Sequence, residues 1–303
     1  MENYRRHWLT NSIGERYDFT DKGFKVFLNE PNGFGFRRSF TSATIGNNEI
    51  VSSTQFQFTD ITGDLLFYDE SIASKYEQYQ RFIQFCKYKP LAFHYSMPNN
   101  PDSYYCEVLF TQAQKGEVSQ DNVLHISVTF HRLTQWLTDK STIYLMDNSP
   151  VGDGKYHDLT YNYAYAGTNL SNTKIVNSGT DDVGFRIVVK GKEENGVITE
   201  PFTNMRFTLS QNGQEYGICQ INGTYDLAII DSVESTEMIY LEKDGAAIVL
   251  PEQYQDFTVA NGHAYLTWLK LMVGESVFNF KCEDLENFDG TVTLSFKNSF
   301  ASV

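Results

Sequence analysis

The sequence lacks the features that mark membrane and secreted proteins. It has no run of about 18 apolar residues, which a membrane-spanning helix requires, and its mean hydropathy is −0.38. No apolar stretch follows residues 1–6, so no secretory signal peptide is predicted. We therefore expect a protein that is made in the cytoplasm of its cell and does not interact with a membrane.

Cysteine, proline and basic residues are also scarce. The four cysteines, Cys86, Cys106, Cys219 and Cys282, are far apart and form no CxxC pair, so we expect buried thiols rather than disulfides or zinc ligands. The chain contains only seven prolines, and its 24 Lys and Arg residues are outnumbered by 38 Asp and Glu residues. The resulting net charge of −14 opposes nucleic-acid binding, because duplex affinity comes mainly from cations that replace phosphate counterions.

The acidity is unevenly divided along the chain. Residues 1–140 hold 14 basic and 16 acidic residues, a net charge of −2, whereas residues 141–303 hold 10 and 22, a net charge of −12. A chain of 303 residues is long enough for two domains. We therefore predict one domain at 1–140 and a second at 141–303, joined by a connection at about 139–155, and the last strand of the second domain could return to the first.

Aromatic residues are abundant, at 15% of the chain, and they favour strands. Residues 123–131 alternate between apolar and polar side chains, which is the period of a strand, and residues 55–59 show a shorter example. One helix is predicted at residues 71–88, followed by Pro90, which cannot continue it. Its apolar stripe, the predicted structural helix core, consists of Ile72, Tyr76, Tyr79, Ile83 and Cys86.

The second half contains turn dipeptides rather than helices. They are Asn195-Gly196, Asn212-Gly213, Asn222-Gly223, Asp244-Gly245, Asn261-Gly262 and Asp289-Gly290. Eight short strands are predicted around them, at residues 185–190, 205–210, 225–230, 238–241, 246–250, 265–271, 277–281 and 291–297. The fold class is therefore mainly all-β: an N-terminal β-sandwich with one packed α-helix, and a C-terminal galectin-like or jelly-roll antiparallel β-sandwich.

No arrangement typical of catalysis is present. The sequence has no HExxH, P-loop, EF-hand or GxSxG motif, and residues 33–38 lack the third glycine of a dinucleotide fingerprint. His125 and His131 lie on one side of a predicted strand but about 20 Å apart, too far to share a metal. We expect no catalytic, cofactor-binding or metal-binding residue, and no cofactor.

Two alternative functions remain open. The acidic residues Asp231, Glu234 and Glu237 are a hydrolase candidate, since a glycosidase needs only two carboxyl groups at the correct separation, although a solvated loop explains them equally. Trp268 lies in a predicted strand and could stack on a sugar ring, or it could be a core residue. The main alternative is accordingly a carbohydrate-binding, adhesin-like protein that recognises host cell-wall polysaccharide through its C-terminal sandwich.

Residues 65–137 carry a resemblance to a known family. Its parts are the segments YEQYQRFIQF (76–85), PLAFHY (90–95), YYCEV (104–108), KGE (115–117) and FHRLTQWL (130–137). In the second half, NSG (177–179), YDLAIID (225–231) and VGES (273–276) add to it. In this order the segments resemble the distal tail protein (Dit) family of long-tailed bacteriophages that infect Gram-positive hosts.

The resemblance implies a non-enzymatic structural protein of a virion tail tip or baseplate. It implies a homohexameric ring, formed by the N-terminal domain, that joins the tail tube protein to the tail-associated hub or lysin protein. It also implies that DNA passes through the lumen without specific binding. The peripheral galectin-like domain is then expected to hold receptor-binding or adaptor proteins, which mediate host attachment.

Overall fold

A computed structural model describes residues 5–20, 23, 25–45, 48–98, 100, 102–147, 168–170, 172–233, 236, 238–248, 257–259, 269–283 and 288–303. The chain divides into two compact units. The first contains Met1–Asp139 and Phe300–Val303, and the second contains Lys140–Ser299. The chain therefore leaves the first unit once and returns to it at its C-terminal end.

The first unit contains ten strands and one helix among its described residues. They are β1 (Arg6–Thr10), β2 (Arg16–Asp18), β3 (Val26–Asn32), β4 (Phe36–Ile45), β5 (Asn48–Phe58), β6 (Ile61–Tyr68), α1 (Ile72–Phe85), β7 (Leu91–Ser96), β8 (Ser103–Val118), β9 (Val123–Arg132) and β10 (Trp136–Thr138). Seven of these strands form one antiparallel path, in the order β2-β1-β7-β8-β9-β6-β3, and β4 pairs only with β5.

Alternation along each strand produces the core of the first unit. In β9, Leu124, Ile126, Val128 and Phe130 are buried, and their neighbours His125 and Ser127 are exposed. The same period in β7 buries Leu91, Phe93 and Tyr95, because successive strand side chains point to opposite faces of the sheet. The buried faces meet in one cluster of aromatic and aliphatic residues, which α1 covers.

The helix α1 begins after Ser71, whose hydroxyl accepts a hydrogen bond from the Ser74 backbone N–H. It ends at Phe85, short of the predicted end at residue 88. Beyond it, Lys87 and Tyr88 donate backbone hydrogen bonds three residues back, which is a turn rather than a continued helix. The turn leads to Pro90, which prevents further helix.

The second unit is built from strands of 2 to 12 residues around its own core. They are β11 (Thr142–Asp147), β12 (Thr168–Asn169), β13 (Thr173–Asn177), β14 (Val183–Gly184), β15 (Arg186–Lys190), β16 (Lys192–Glu194), β17 (Val197–Glu200), β18 (Phe202–Gln211), β19 (Gln214–Tyr225), β20 (Leu227–Asp231), β21 (Met238–Lys243), β22 (Ala246–Ile248), β23 (Phe257–Val259), β24 (Lys270–Leu271), β25 (Gly274–Glu283) and β26 (Thr291–Phe296). The short β27 (Ser299–Phe300) follows where the chain returns to the first unit.

The second unit contains two larger sheets, in the orders β12-β11-β26-β15-β20-β21-β22 and β13-β25-β18-β19-β23, and the two-stranded sheets β14-β24 and β16-β17. The pairings are antiparallel except for β11 with β12. The prediction of a mainly all-β protein with one helix in its first part is confirmed for the described residues. Among those residues, no helix has both the length and the apolar character that crossing a membrane requires.

The predicted turns and the predicted connection have mixed outcomes. Asn195-Gly196, Asn212-Gly213 and Asp244-Gly245 each join two paired strands, and both residues of each dipeptide have positive φ. Asn222-Gly223 instead lies within β19, and Asn261-Gly262 lies outside the described residues. Residues 142–147, which were predicted to belong to the connection, form β11, because their apolar positions pair with β26.

Candidate interaction surface

The strands β4 and β5 form a separate two-stranded hairpin in the first unit. Their register runs from Phe36 opposite Phe58 to Ile45 opposite Asn48, with one irregularity at Thr41/Ser42. Within the described chain, no third strand pairs with either of them. The chain between β3 and β6 is therefore an arm that stands apart from the main sheet.

One face of the hairpin carries most of its exposed large apolar side chains, while Ile50 lies on the other face as the partner of Ala43. Phe36, Arg38 and Phe40 alternate along β4 and lie on the first of these faces, and Val51 joins them as the cross-strand partner of Ser42. Phe40 is 62% exposed and Val51 is 54% exposed, whereas large apolar side chains in folded domains are usually buried. The face thus has the composition of a sheet surface that is packed against another surface.

Hydrogen bonds hold the base of the hairpin to the main body. The buried Trp136 donates its indole Nε1–H to the Phe34 carbonyl oxygen at 3.0 Å. The Thr59 hydroxyl lies 2.8 Å from the Gly33 carbonyl oxygen and 2.7 Å from the Gly35 carbonyl oxygen. Both strands of the hairpin are therefore fixed where they leave the body, because Thr59 follows β5 and residues 33–35 precede β4.

Arg132 is the most unusual side chain at this base. It is fully buried, and its Nη1 donates to the Gly35 carbonyl oxygen at 2.7 Å. Its guanidinium carbon lies 5.2 Å from the centroids of both the Phe58 and the Trp136 rings, which is within cation–π distance. Its Nε and Nη2 have no hydrogen-bond partner among the described residues. Burial lowers the pKa of the guanidinium, and the two rings partly replace the lost solvation.

Glycine is required at position 33. The φ angle there is +94°, and an added Cβ would lie 1.8 Å from the Asp60 carbonyl oxygen. Any other residue would both strain the backbone and push β6 away from the hairpin. The Gly-Phe-Gly-Phe segment is thus the start of a strand arm rather than a phosphate-binding loop.

An aromatic cluster that includes a buried histidine lies under the base of the hairpin. His7 is buried, stacks on Tyr95 at 5.4 Å between ring centroids, and lies 5.8 Å from Phe34. Its Nε2 has no hydrogen-bond partner among the described residues. Burial, together with the positive charge of Arg5, lowers the pKa of His7 to about 4. His7 is therefore neutral at pH 7.

A groove of about 630 Å³ lies at the other end of the β3–β6 pair. Phe27 and Tyr68, each 44% exposed, line it together with Val26. Lys25 and Asp69 form an ion pair at its rim, 2.8 Å between Nζ and Oδ1, and the hydrogen bond from Lys25 lowers the pKa of Asp69 to about 2. Since Lys25 is neutralised by Asp69, the exposed carboxylate of Glu70 gives the rim a negative charge.

The structure places the predicted helix stripe only partly toward the core. Cys86 is buried, and Tyr76, Tyr79 and Ile83 are half-buried and pack against the core of the first unit. Ile72 is 56% exposed, so its predicted core position is wrong. Ile72 is the first residue of the helix.

Lys75, Phe82 and Phe85 are the helix residues that are buried instead. At 100° per residue, a face centred on Lys75, Phe82 and Cys86 is rotated by about 60° from the predicted one. Lys75 is tolerated in this face because its Nζ donates to the Asn122 side-chain oxygen at 3.0 Å. Because Lys75 is charged, the apolar periodicity of the sequence did not place it in the buried face.

The residues considered for catalysis or sugar binding are not brought together in the described part of the chain. Asp231 is buried, and its Oδ1 accepts a hydrogen bond from the Val233 backbone N–H, which is a structural turn. Glu234, Glu237 and Trp268 lie outside the described residues. No group of three potential metal ligands occurs among the described residues.

The histidines and cysteines that were considered have structural surroundings. His131 is exposed and contacts Asp60 at 2.7 Å, and His125 is exposed. Cys86, Cys106 and Cys219 are buried thiols, and burial raises the pKa of Cys86 and of Cys106 to about 12. A thiol with so high a pKa is a poor nucleophile at neutral pH.

Residues 6–133 match the family model for the N-terminal domain of the distal tail protein. The chain carries a distal tail protein N-terminal domain. The resemblance noted in the sequence is thereby confirmed, and the protein is a structural component of a bacteriophage-type tail tip or baseplate. No curated protein sequence matches the chain.

Solved phage structures share the fold of this chain along almost its whole length. A chain of the phage p2 baseplate, in its activated conformation with calcium, is similar with a TM-score of 0.56 at 15% identity, covering 99% of this chain and 100% of that one. The Dit protein of phage SPP1, described as a hub of the adsorption apparatus of phages that infect Gram-positive hosts, has a TM-score of 0.61 at 9% identity. That likeness covers 96% of this chain and 98% of the SPP1 chain.

Sequence reasoning missed the hairpin and the groove. Alternation in residues 55–59 indicated a strand, and Phe36 and Phe40 repeat the same period. This pattern shows that a strand has an apolar face, but it cannot show that the face has no cover within the chain. The two surfaces are visible only in the fold.

Proposed function

We propose that this distal tail protein forms a homohexameric ring at the tip of a phage-type tail, between the tail tube protein and the tail-associated hub or lysin protein. DNA passes through the ring without specific binding. The match of residues 6–133 to the distal tail protein N-terminal domain carries this proposal. The fold similarity to proteins of the p2 baseplate and of the SPP1 adsorption hub supports it.

The uneven distribution of net charge supports different roles for residues 1–140 and residues 141–303. Residues 1–140 have a net charge of only −2, so copies of the first unit can approach one another without strong repulsion. The net charge of −12 in residues 141–303 suits a unit that stays solvated at the periphery. We assign ring formation to the first unit and the docking of receptor-binding or adaptor proteins to the second.

The mass of the purified chain in solution tests the ring. Light scattering coupled to size exclusion is expected to give six times the chain mass of 34.7 kDa. Negative-stain images are expected to show closed rings with six-fold symmetry. A single species of 34.7 kDa across the concentration series, or an assembly with another symmetry, contradicts the proposal.

A further inference from the structure

The apolar face of the hairpin requires a cover. A two-stranded hairpin on its own is only marginally stable in water, yet β4 and β5 are 10 and 11 residues long. Phe40 and Val51 are among the most exposed large apolar residues of the first unit, and they share one face. An apolar sheet face of this kind marks a protein contact. Arg38, on the same face, gives it a positive charge.

The groove at the far end of β3 has the complementary chemistry. Phe27 and Tyr68 offer an apolar floor, and the exposed Glu70 offers a negative charge at the rim. The strand β3 is the last of its sheet, so nothing in the described sheet order covers this side of the groove. The groove can therefore receive aromatic side chains and one cation, which is what the hairpin face presents.

The two surfaces lie at opposite ends of one strand pair. Val26, next to the groove, is paired with Phe67, and Asn32, next to the hairpin base, is paired with Thr62. Seven strand residues at ~3.4 Å each separate the two ends by roughly 20 Å. Because the base of the hairpin is fixed by Trp136 and Thr59, the hairpin extends from the end opposite the groove. Two different surfaces at opposite ends of a subunit produce head-to-tail contacts, which form a ring when the rotation from one copy to the next closes.

We propose that the hairpin face of one copy, formed by Phe36, Arg38, Phe40 and Val51, docks into the Phe27–Tyr68 groove of a second copy of this chain. Arg38 then pairs with Glu70 of the partner subunit. This inference rests on the proposed ring and names its subunit contact.

Single substitutions on each surface test the contact first. Phe40→Asp and Tyr68→Asp each place a carboxylate in one half of the interface, and both positions are exposed in one copy. Each variant is expected to run as a monomer of 34.7 kDa, where the wild-type chain runs at six times that mass. Ile13→Asp is the matched control, because Ile13 is 57% exposed in the same unit but belongs to neither surface, and it is expected to keep the wild-type mass.

A mixture of the two variants gives the decisive measurement. Phe40→Asp retains a working groove, and Tyr68→Asp retains a working hairpin, so an equimolar mixture can form one contact and no more. The mixture is expected to yield a one-to-one dimer with twice the chain mass of 34.7 kDa. Dimer formation would also show that both variants are folded.

The outcomes separate this contact from the ring itself. If the wild-type chain is hexameric and Phe40→Asp remains hexameric, the contact is overturned and the ring stands. If the mixture gives the dimer but the wild-type chain forms an assembly with a number of copies other than six, the contact stands and the six-fold ring is overturned. A wild-type chain that stays monomeric at all concentrations overturns both.

Discussion

Acidification is expected to destabilise the first unit through His7. An unfolded histidine has a pKa near 6.5, whereas burial lowers the pKa of His7 in the folded protein to about 4. The unfolded chain therefore binds a proton more readily than the folded chain throughout the interval between these two values. Stability contributed by neutral His7 is complete above pH 6.5 and is lost as the pH falls toward 4. The difference of the two pKa values corresponds to about 3 kcal/mol, a large part of the stability of an ordinary domain.

His7→Phe is the substitution that isolates this effect. Phenylalanine keeps the ring stacked on Tyr95 and removes the titrating group. The free energy of unfolding of the wild-type chain is expected to fall by about 3 kcal/mol more than that of His7→Phe between pH 7 and pH 4. Denaturant titrations in a Trp268→Phe background measure this, because the remaining tryptophans, Trp8 and Trp136, both belong to the first unit.

Two results would refute the reasoning on His7. One is a pH profile for His7→Phe that runs parallel to that of the wild-type chain. The other is an NMR titration of His7 with a midpoint near the ordinary value.

Two further substitutions test the packing of the first unit and the base of the hairpin. Phe82→Ala is expected to lower the free energy of unfolding by about 3–5 kcal/mol, because Phe82 is a fully buried residue of the helix. Ile72→Ala, at an exposed position of the same helix, is expected to lower it by less than about 0.5 kcal/mol. Equal effects of the two substitutions in denaturant titrations would contradict the observed helix face. Gly33→Ala is expected to open the hairpin base, seen as faster amide hydrogen exchange in β4 and β5, since its Cβ would collide with the Asp60 carbonyl oxygen. Gly14→Ala, at a positive φ with open space around it, is expected to leave that exchange unchanged.

Local patterns predicted the strands well because a strand that is buried on one face must alternate. Residues 123–131 form β9 almost as predicted, and the alternating apolar residues Leu124, Ile126, Val128 and Phe130 are buried. The turns at Asn195-Gly196 and Asn212-Gly213 were also predicted from local sequence, because Asn and Gly tolerate the positive φ angles that these turns have. Strands such as β13 and β14 were missed, since they are short and depend on partners far away in the sequence.

The helix shows where local patterns are insufficient. Sequence periodicity located the helix, but placed the centre of its buried face about 60° from the observed one. A buried lysine does not look apolar in a sequence, and Lys75 is buried because Asn122, which follows β8, supplies an acceptor. The orientation of a helix is thus decided by distant partners as well as by its own apolar residues.

The hairpin joins a rigid base to an uncovered face, and this combination has an energetic consequence for assembly. A flexible arm would have to be ordered on binding, at a cost of about 0.5–1.5 kcal/mol for each immobilised side chain and more for the backbone. Here Trp136, Thr59 and the buried Arg132 fix both strands before any partner arrives. Arg132 satisfies few of its own hydrogen-bonding groups in this position, so it is poorly explained as a device for the stability of the first unit alone. The position of Arg132 is explained if it fixes the orientation of the hairpin relative to the body of the first unit. In a closed ring, an error in this orientation is repeated at every subunit contact.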